Sequence, residues 1–321
     1  MKKNPHILSA QQFNLSDVLK IFQKATQMET VAKRQAKLHS HTKGVVLLFY
    51  QPSTRTRASF EIAARFLGYS VLYSTEAAGF FSSAAKGESL EDTIELFSNY
   101  PGVGIIILRH PEKGAAERAA KIADPYGVSI INAGDGTNEH PTQALLDLYT
   151  IYKLRQNQKP MNQIKLVLAN DLDHSRTIRS LCLLFAKTFK PLEIGVSAPK
   201  NIDLPKDVQK GLKDFGIKIL KFDNLKKAAL WADFLYMTRP QIEYYRSKKI
   251  AEKFQNFRIN RAFLANIPKD RPCRILHPMP IDSKNFNEIT QDARHHPRCQ
   301  IFQQARYGLY VRMALLKMIL K

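Results

Sequence analysis

Apolar residues along this chain fall in short unbroken runs, separated by longer stretches in which they recur every three or four positions. The runs lie at 45–50, 70–75, 104–109 and 129–133, then at 165–170, 192–198, 218–222, 234–239 and 274–278. A strand covered on both faces reads as a continuous apolar run rather than as an alternation, so these segments predict parallel sheets. The stretches between them predict helices near 14–33, 54–67, 89–100, 113–123, 141–155, 175–189, 206–214 and 224–231, with a last helix near 303–320. Strands alternating with helices define the doubly wound α/β class. Four strands precede the long helix that starts at Pro141 and its polar linker 156–160, and five follow. That division predicts two domains, 1–140 and 141–302, each a parallel sheet flanked by helices, with helix 303–321 packing back on the first. In such folds ligands sit beyond the carboxyl ends of the strands, so the active site is expected there, between the two domains.

Composition narrows the class without deciding it. The 321 residues are 44% hydrophobic and 24% charged, the balance of a folded chain. No apolar run approaches the roughly 18 residues of a membrane span, and Met1-Lys2-Lys3 leads into no apolar signal core, so a cytoplasmic protein is expected. Cys182, Cys273 and Cys299 lie far apart with no metal-ligand spacing and are expected as reduced core thiols. The formal charge of +21 raises the question of nucleic acid, but the excess is spread along the chain instead of forming one arm. Solubility and attraction of anionic substrates explain it better.

Chemistry gathers where the strands end. The run 45–50 leads into Ser53-Thr54-Arg55-Thr56-Arg57 and then a helix pattern, which brings hydroxyls, guanidinium, backbone N–H groups and helix dipole to one point. That combination predicts a phosphate site contacted by Ser53, Thr54, Arg55 and Thr56. The plain alternative is that Ser53 caps the helix and the arginines are solvated. Other strand ends carry Arg109-His110, the loop 134–143 with His140 and Gln143, then Asp171 to Thr177, Thr238-Arg239-Pro240-Gln241 and His277-Pro278-Met279-Pro280. Five turns bearing arginine, histidine or amide predict a convergent pocket for a polyanion. His110 and His140 stand with equal weight as structural hydrogen-bonders. No dinucleotide fingerprint, P-loop, nucleophile elbow or metal-ligand spacing occurs, so no cofactor and no metal are expected.

Phe-Tyr-Gln-Pro-Ser-Thr-Arg-Thr-Arg-Ala-Ser-Phe-Glu (49–61) and His-Pro-Thr-Gln-Ala-Leu-Leu-Asp-Leu (140–148) resemble the two signatures of the aspartate/ornithine carbamoyltransferase family. Segments 86–93, 132–140 and 235–239 resemble its aspartate branch, and Pro278 stands where the ornithine branch has cysteine. The resemblance runs from about Leu15 to Ala305. It implies transfer of a carbamoyl group from carbamoyl phosphate to L-aspartate, the first committed step of pyrimidine synthesis. By resemblance Thr56, Arg109 and His140 donate to the carbonyl oxygen, while Gln143 and the carbonyls of Pro278 and Met279 hold the carbamoyl amide. Arg176, Arg239 and Gln241 match the positions that bind aspartate. Ser82 and Lys86 lie on a loop that in the family reaches a neighbouring active site, which implies a homotrimer; a regulatory or dihydroorotase partner chain stays open.

Several positions depart from the family pattern: Asn170, Pro240, Ile281, Arg306 and Tyr307. They touch the second-substrate loops and leave the phosphate and oxyanion positions intact. The competing readings are a carbamoyltransferase for another amino acid or amine, a catalytically silent assembly subunit, and a nucleic-acid binder.

Overall fold

Gly44–Phe49 forms strand β1, and every one of its residues is buried. It belongs to a computed structural model that describes residues 5–34, 41–78, 83–136, 138–242, 245 and 252–320. Around β1 lie β2 (Val71–Thr75), β3 (Val103–His110) and β4 (Ser129–Asp135), all parallel, in the order β2-β1-β3-β4. Helices α1 (Leu15–Lys33), α2 (Thr54–Phe66), α3 (Leu90–Asn99), α4 (Ala115–Ala123) and α5 (Pro141–Leu154) alternate with these strands. The inner face of α4 is Ala115, Ala116, Ala119, Ala120 and Ala123, all buried, so its backbone lies close to the sheet and joins Val46, Ile106 and Ile130 in one core.

A second sheet has the order β7-β6-β5-β8-β9, again parallel. Its strands are β5 (Leu166–Ala169), β6 (Glu193–Ser197), β7 (Lys218–Lys221), β8 (Phe234–Met237) and β9 (Arg274–Leu276). Helices α6 (Arg176–Phe189), α7 (Lys206–Asp214), α8 (Leu225–Trp231) and α9 (Arg261–Ala265) belong with it, and α10 (Ile301–Ile319) follows. The central strands β5 and β8 are buried throughout, whereas edge strand β7 exposes Lys218 and Lys221, charges that discourage pairing with another chain. The elements lie within a residue or two of the periodicity-based expectations. The five-residue α9 was absent from them because it is too short to show a helical repeat.

The chain divides into a first unit, Met1–Leu146 with Tyr307–Lys321, and a second, Asp147–Arg306. Both divisions fall inside helices, α5 and α10, rather than at position 140 or in the linker. A continuous helix satisfies its own backbone, so it can pass from one unit to the next without the exposed turn that usually marks a boundary. In the first unit Tyr69 Oη donates to Leu320 O at 2.7 Å, and a Cβ on Gly104 would stand 2.7 Å from Leu320 Cδ2.

Candidate active site

The first unit assembles its polar groups at three neighbouring strand ends. After β1, Ser53 is the N-cap of α2, yet its side chain makes no capping bond. Its backbone N–H donates instead to Glu76 Oε1 at 2.8 Å. The Ser53 side chain thus caps none of the first-turn amides of Thr54, Arg55 and Thr56, which a helix cannot satisfy internally. The two arginines of the motif separate here. Arg57 is held by Ser74 Oγ at 3.0 Å, Glu61 at 3.4 Å and Glu76 at 3.5 Å. Among the described residues Arg55 makes no ion pair. Arg55 is exposed overall, yet nearby protein partly desolvates its guanidinium and lowers its pKa; a guanidinium starts so high that it stays charged at neutral pH.

β3 lies beside β1, with Arg109 paired to Phe49 across the register and its carbonyl accepting Tyr50 N–H at 2.8 Å. Arg109 Nη1 donates to Ala133 O at 3.3 Å, which ties its guanidinium toward β4. The loop after β4 is a knot of hydrogen bonds centred on Asp135, which is 2% exposed. Asp135 accepts from Asn132 Nδ2, Asn138 Nδ2 and the backbone N–H groups of Gly114 and Glu139, at 3.0–3.1 Å. Glu139 in turn accepts from Ser9 Oγ at 2.6 Å and Ala10 N–H at 2.8 Å. Gly136, at φ +55°, lies where a Cβ would approach Pro111 O to 2.5 Å, so the turn requires glycine. This knot delivers buried His140 to the start of α5, where its carbonyl accepts Gln143 N–H at 3.0 Å. His110 has a different part: its Nδ1 accepts Glu112 N–H at 3.1 Å, its ring packs edge-on against Tyr50, and burial lowers its pKa.

Lys86 ends the short turn Ser83–Lys86 and is exposed. Ser82 and Thr137 lie outside the described residues.

In the second unit the ends of β5 and β8 are joined by Asp171, which is fully buried. Its carboxylate accepts Gln241 N–H at 2.8 Å, Tyr245 Oη at 2.8 Å and His174 N–H at 3.3 Å. Desolvation and the adjacent Asp171 raise the Tyr245 pKa, so the phenol stays protonated as the donor. Gln241 Nε2 donates to His174 O at 2.8 Å, and half-buried Arg176 opens α6 two residues later. Half-buried Arg239 follows β8 on the strand-end turn that Thr238 Oγ1 fastens to the carbonyls of Ala169 and Asp171. Beyond β9, Pro278 and Met279 are half-buried, and Met279 adopts φ +60°, a left-handed conformation unusual for its type. The structure thus gathers Ser53, Thr54, Arg55, Thr56, Arg109, His140 and Gln143 on one unit. Arg176, Arg239, Gln241, Pro278 and Met279 lie on the other.

Sequence reading assigned no role to the acids that build these turns: Glu76, Asp135, Glu139 and Asp171. Each lies in or next to a strand-end loop rich in Asn, Ser or backbone donors, and a carboxylate in such a loop has to be satisfied locally.

The whole chain matches known proteins. Residues 5–153 match the family model for the aspartate/ornithine carbamoyltransferase carbamoyl-P binding domain, and residues 162–319 match that for the Asp/Orn binding domain. The aspartate carbamoyltransferase catalytic subunit of Cellvibrio japonicus is 40% identical, over 98% of this chain and 92% of that protein. Among solved structures, the catalytic subunit of M. jannaschii aspartate transcarbamoylase superposes with a TM-score of 0.85 at 38% identity, covering 98% of this chain and 97% of that one. Aspartate transcarbamoylase from Trypanosoma cruzi, solved in complex with carbamoyl phosphate and aspartate, gives 0.84 at 31% identity, with 98% and 96% covered. Two family domains in order and near-complete coverage by these relatives place the chain in the aspartate/ornithine carbamoyltransferase family.

Proposed function

We propose that this chain transfers the carbamoyl group of carbamoyl phosphate to the amino group of L-aspartate, giving N-carbamoyl-L-aspartate and phosphate, and so commits carbamoyl phosphate to pyrimidine synthesis. The observation that carries this reading is the turn after β1, where Arg55 makes no ion pair among the described residues and the first-turn amides of α2 are left uncapped by Ser53. Ser53, Thr54, Arg55 and Thr56 receive the phosphate. The amine lone pair forms the new C–N bond, and the C–O bond to phosphate breaks. The proton released from nitrogen departs with the phosphate. As negative charge grows on the carbonyl oxygen, Thr56, Arg109 and His140 donate to it, and fixed donors at that atom lower the barrier most. Gln143 and the carbonyls of Pro278 and Met279 hold the carbamoyl amide. Arg176 and Arg239, with Gln241, take the two carboxylates of aspartate, for which a planar guanidinium fork suits better than a lysine.

The active form is a homotrimer in which Ser82 and Lys86 serve the neighbouring site. Supporting this, edge strand β2 exposes Leu72 (47%) and Tyr73 (37%), with Tyr100 (51%) exposed close by. Phe97 joins them, its ring 5.0 Å from Tyr73 and 6.1 Å from Tyr100. An apolar sheet edge without guarding charges calls for a covering partner. The deciding assay supplies carbamoyl phosphate with aspartate or ornithine and measures ureido product. Product with aspartate and none with ornithine is expected. Turnover of ornithine alone, or of neither amino acid, overturns the reading.

A further inference from the structure

One carboxylate at the phosphate turn has no part in the chemistry above. Glu76 follows the end of β2 by one residue, and it reaches across to the start of α2. Its Oε1 accepts Ser53 N–H at 2.8 Å, while Oε2 faces Arg57 Nη2 at 3.5 Å. An acid beside an anion site is unfavourable on charge alone. Its presence therefore needs a compensating role. Ser74 Oγ, from the same strand, accepts from Arg57 Nη1 at 3.0 Å, and Glu61 Oε2 lies 3.4 Å from that nitrogen. The β2 end thus grips the turn at two points, Ser53 and Arg57, with Thr54, Arg55 and Thr56 suspended between them.

We infer that Glu76 is a positioning residue for carbamoyl phosphate. It anchors the Ser53 amide and engages Arg57, and by doing so it leaves the Ser53 hydroxyl, the three first-turn amides and Arg55 as the groups that meet the phosphate. The inference rests on the reading of residues 53–56 as the phosphate site. Two opposed effects follow from the geometry. Losing the acceptor loosens the turn and weakens phosphate binding, whereas losing only the negative charge strengthens it.

Glu76→Ala and Glu76→Gln separate these effects. Alanine removes both acceptor and charge, and carbamoyl phosphate should bind about tenfold more weakly, the size of one charge-assisted hydrogen bond, with the aspartate KM within about twofold of the parent. Glutamine keeps an oxygen for Ser53 N–H and drops the charge. It should bind both carbamoyl phosphate and inorganic phosphate more tightly than the parent. Calorimetric titration with carbamoyl phosphate and with inorganic phosphate reads both, and thermal unfolding checks the fold. A merely structural role predicts instead a lowered melting temperature with both substrates affected alike and no rescue by glutamine. Parental affinity in the alanine chain, or glutamine no better than alanine, overturns the inference. Should the alanine chain fail to fold, unchanged or weaker phosphate binding by the glutamine chain overturns it. A parent chain that binds neither carbamoyl phosphate nor inorganic phosphate overturns the site reading and this inference together.

Discussion

Met279 donates its backbone N–H to Nδ1 of His277 at 2.8 Å, and this fixes the imidazole tautomer. With Nδ1 accepting, Nε2 carries the proton and faces Glu288 Oε1 at 3.0 Å. Glu288 also accepts Asp282 N–H at 3.2 Å, so one buried carboxylate holds both ends of the turn that bends Met279 into its left-handed conformation. Glu288→Ala strips the acceptor from a fully buried histidine and should destabilise the chain by about 2–4 kcal/mol. Urea unfolding measures it, and an unchanged midpoint would show that the turn holds itself.

Arg55 and Arg57 should respond differently to removal. Arg55→Ala should fold normally by circular dichroism and lose roughly 100-fold or more in turnover, as expected for a donor that meets developing or departing charge. Arg57→Gln breaks partly exposed ion pairs and should lose far less, since such pairs contribute about 1 kcal/mol or below. Equal losses in the two variants would contradict the sorting of the arginines.

Arg239→Ala should raise the aspartate KM steeply and leave carbamoyl phosphate binding nearly intact, because Arg239 is assigned to aspartate while the phosphate is received by residues 53–56 of the first unit. Calorimetry with carbamoyl phosphate tests the second clause. A collapse of both affinities would mean that the division of labour between the units is wrong.

Lys86→Ala and Arg55→Ala chains should each be inactive alone, yet regain activity when dissociated and reassociated together. Mixed trimers contain some sites built from the unmutated half of each chain. Native mass spectrometry confirms mixing, and silence in confirmed mixed trimers would return Lys86 to the role of a surface lysine.

Burial lowers the His110 pKa, so the folded chain prefers the neutral ring and the unfolded chain takes up a proton first. The associated stability is full above the unfolded value of about 6.5 and is lost as pH falls from there through the folded value. His110→Gln should flatten that part of the curve. Denaturant midpoints taken from pH 7.5 down to 5 test it, and parallel curves for the two chains would rule out a His110 contribution.

Much of this was legible in the sequence. Runs such as 45–50 and 104–109 gave strands because residues buried on both faces leave no alternation to misread, and β-rich composition set them apart from helices. The hydroxyl- and arginine-rich turn after β1 stood out because its residues are consecutive. The sorting of Arg55 from Arg57 was not, since the deciding partners Ser74 and Glu76 lie some twenty positions away and nothing local distinguishes the two guanidinium groups. The same holds for Asp171, whose partners Gln241 and Tyr245 follow about seventy residues later. Unit boundaries inside α5 and α10 were hidden because a helix shows one unbroken period whichever core its turns face.

The first unit is built from two stretches that the ribosome delivers far apart. Residues 147–306, which form the second unit, are synthesised between them as one contiguous segment. Synthesis of that segment, roughly 160 residues at about 5–20 residues per second, occupies on the order of 10–30 s. During that interval Tyr69 lacks its Leu320 partner, and the hollow at Gly104 is unfilled. The first sheet therefore waits for its last helix throughout synthesis of the second unit, a period of exposure set by chain order rather than by the stability of either unit.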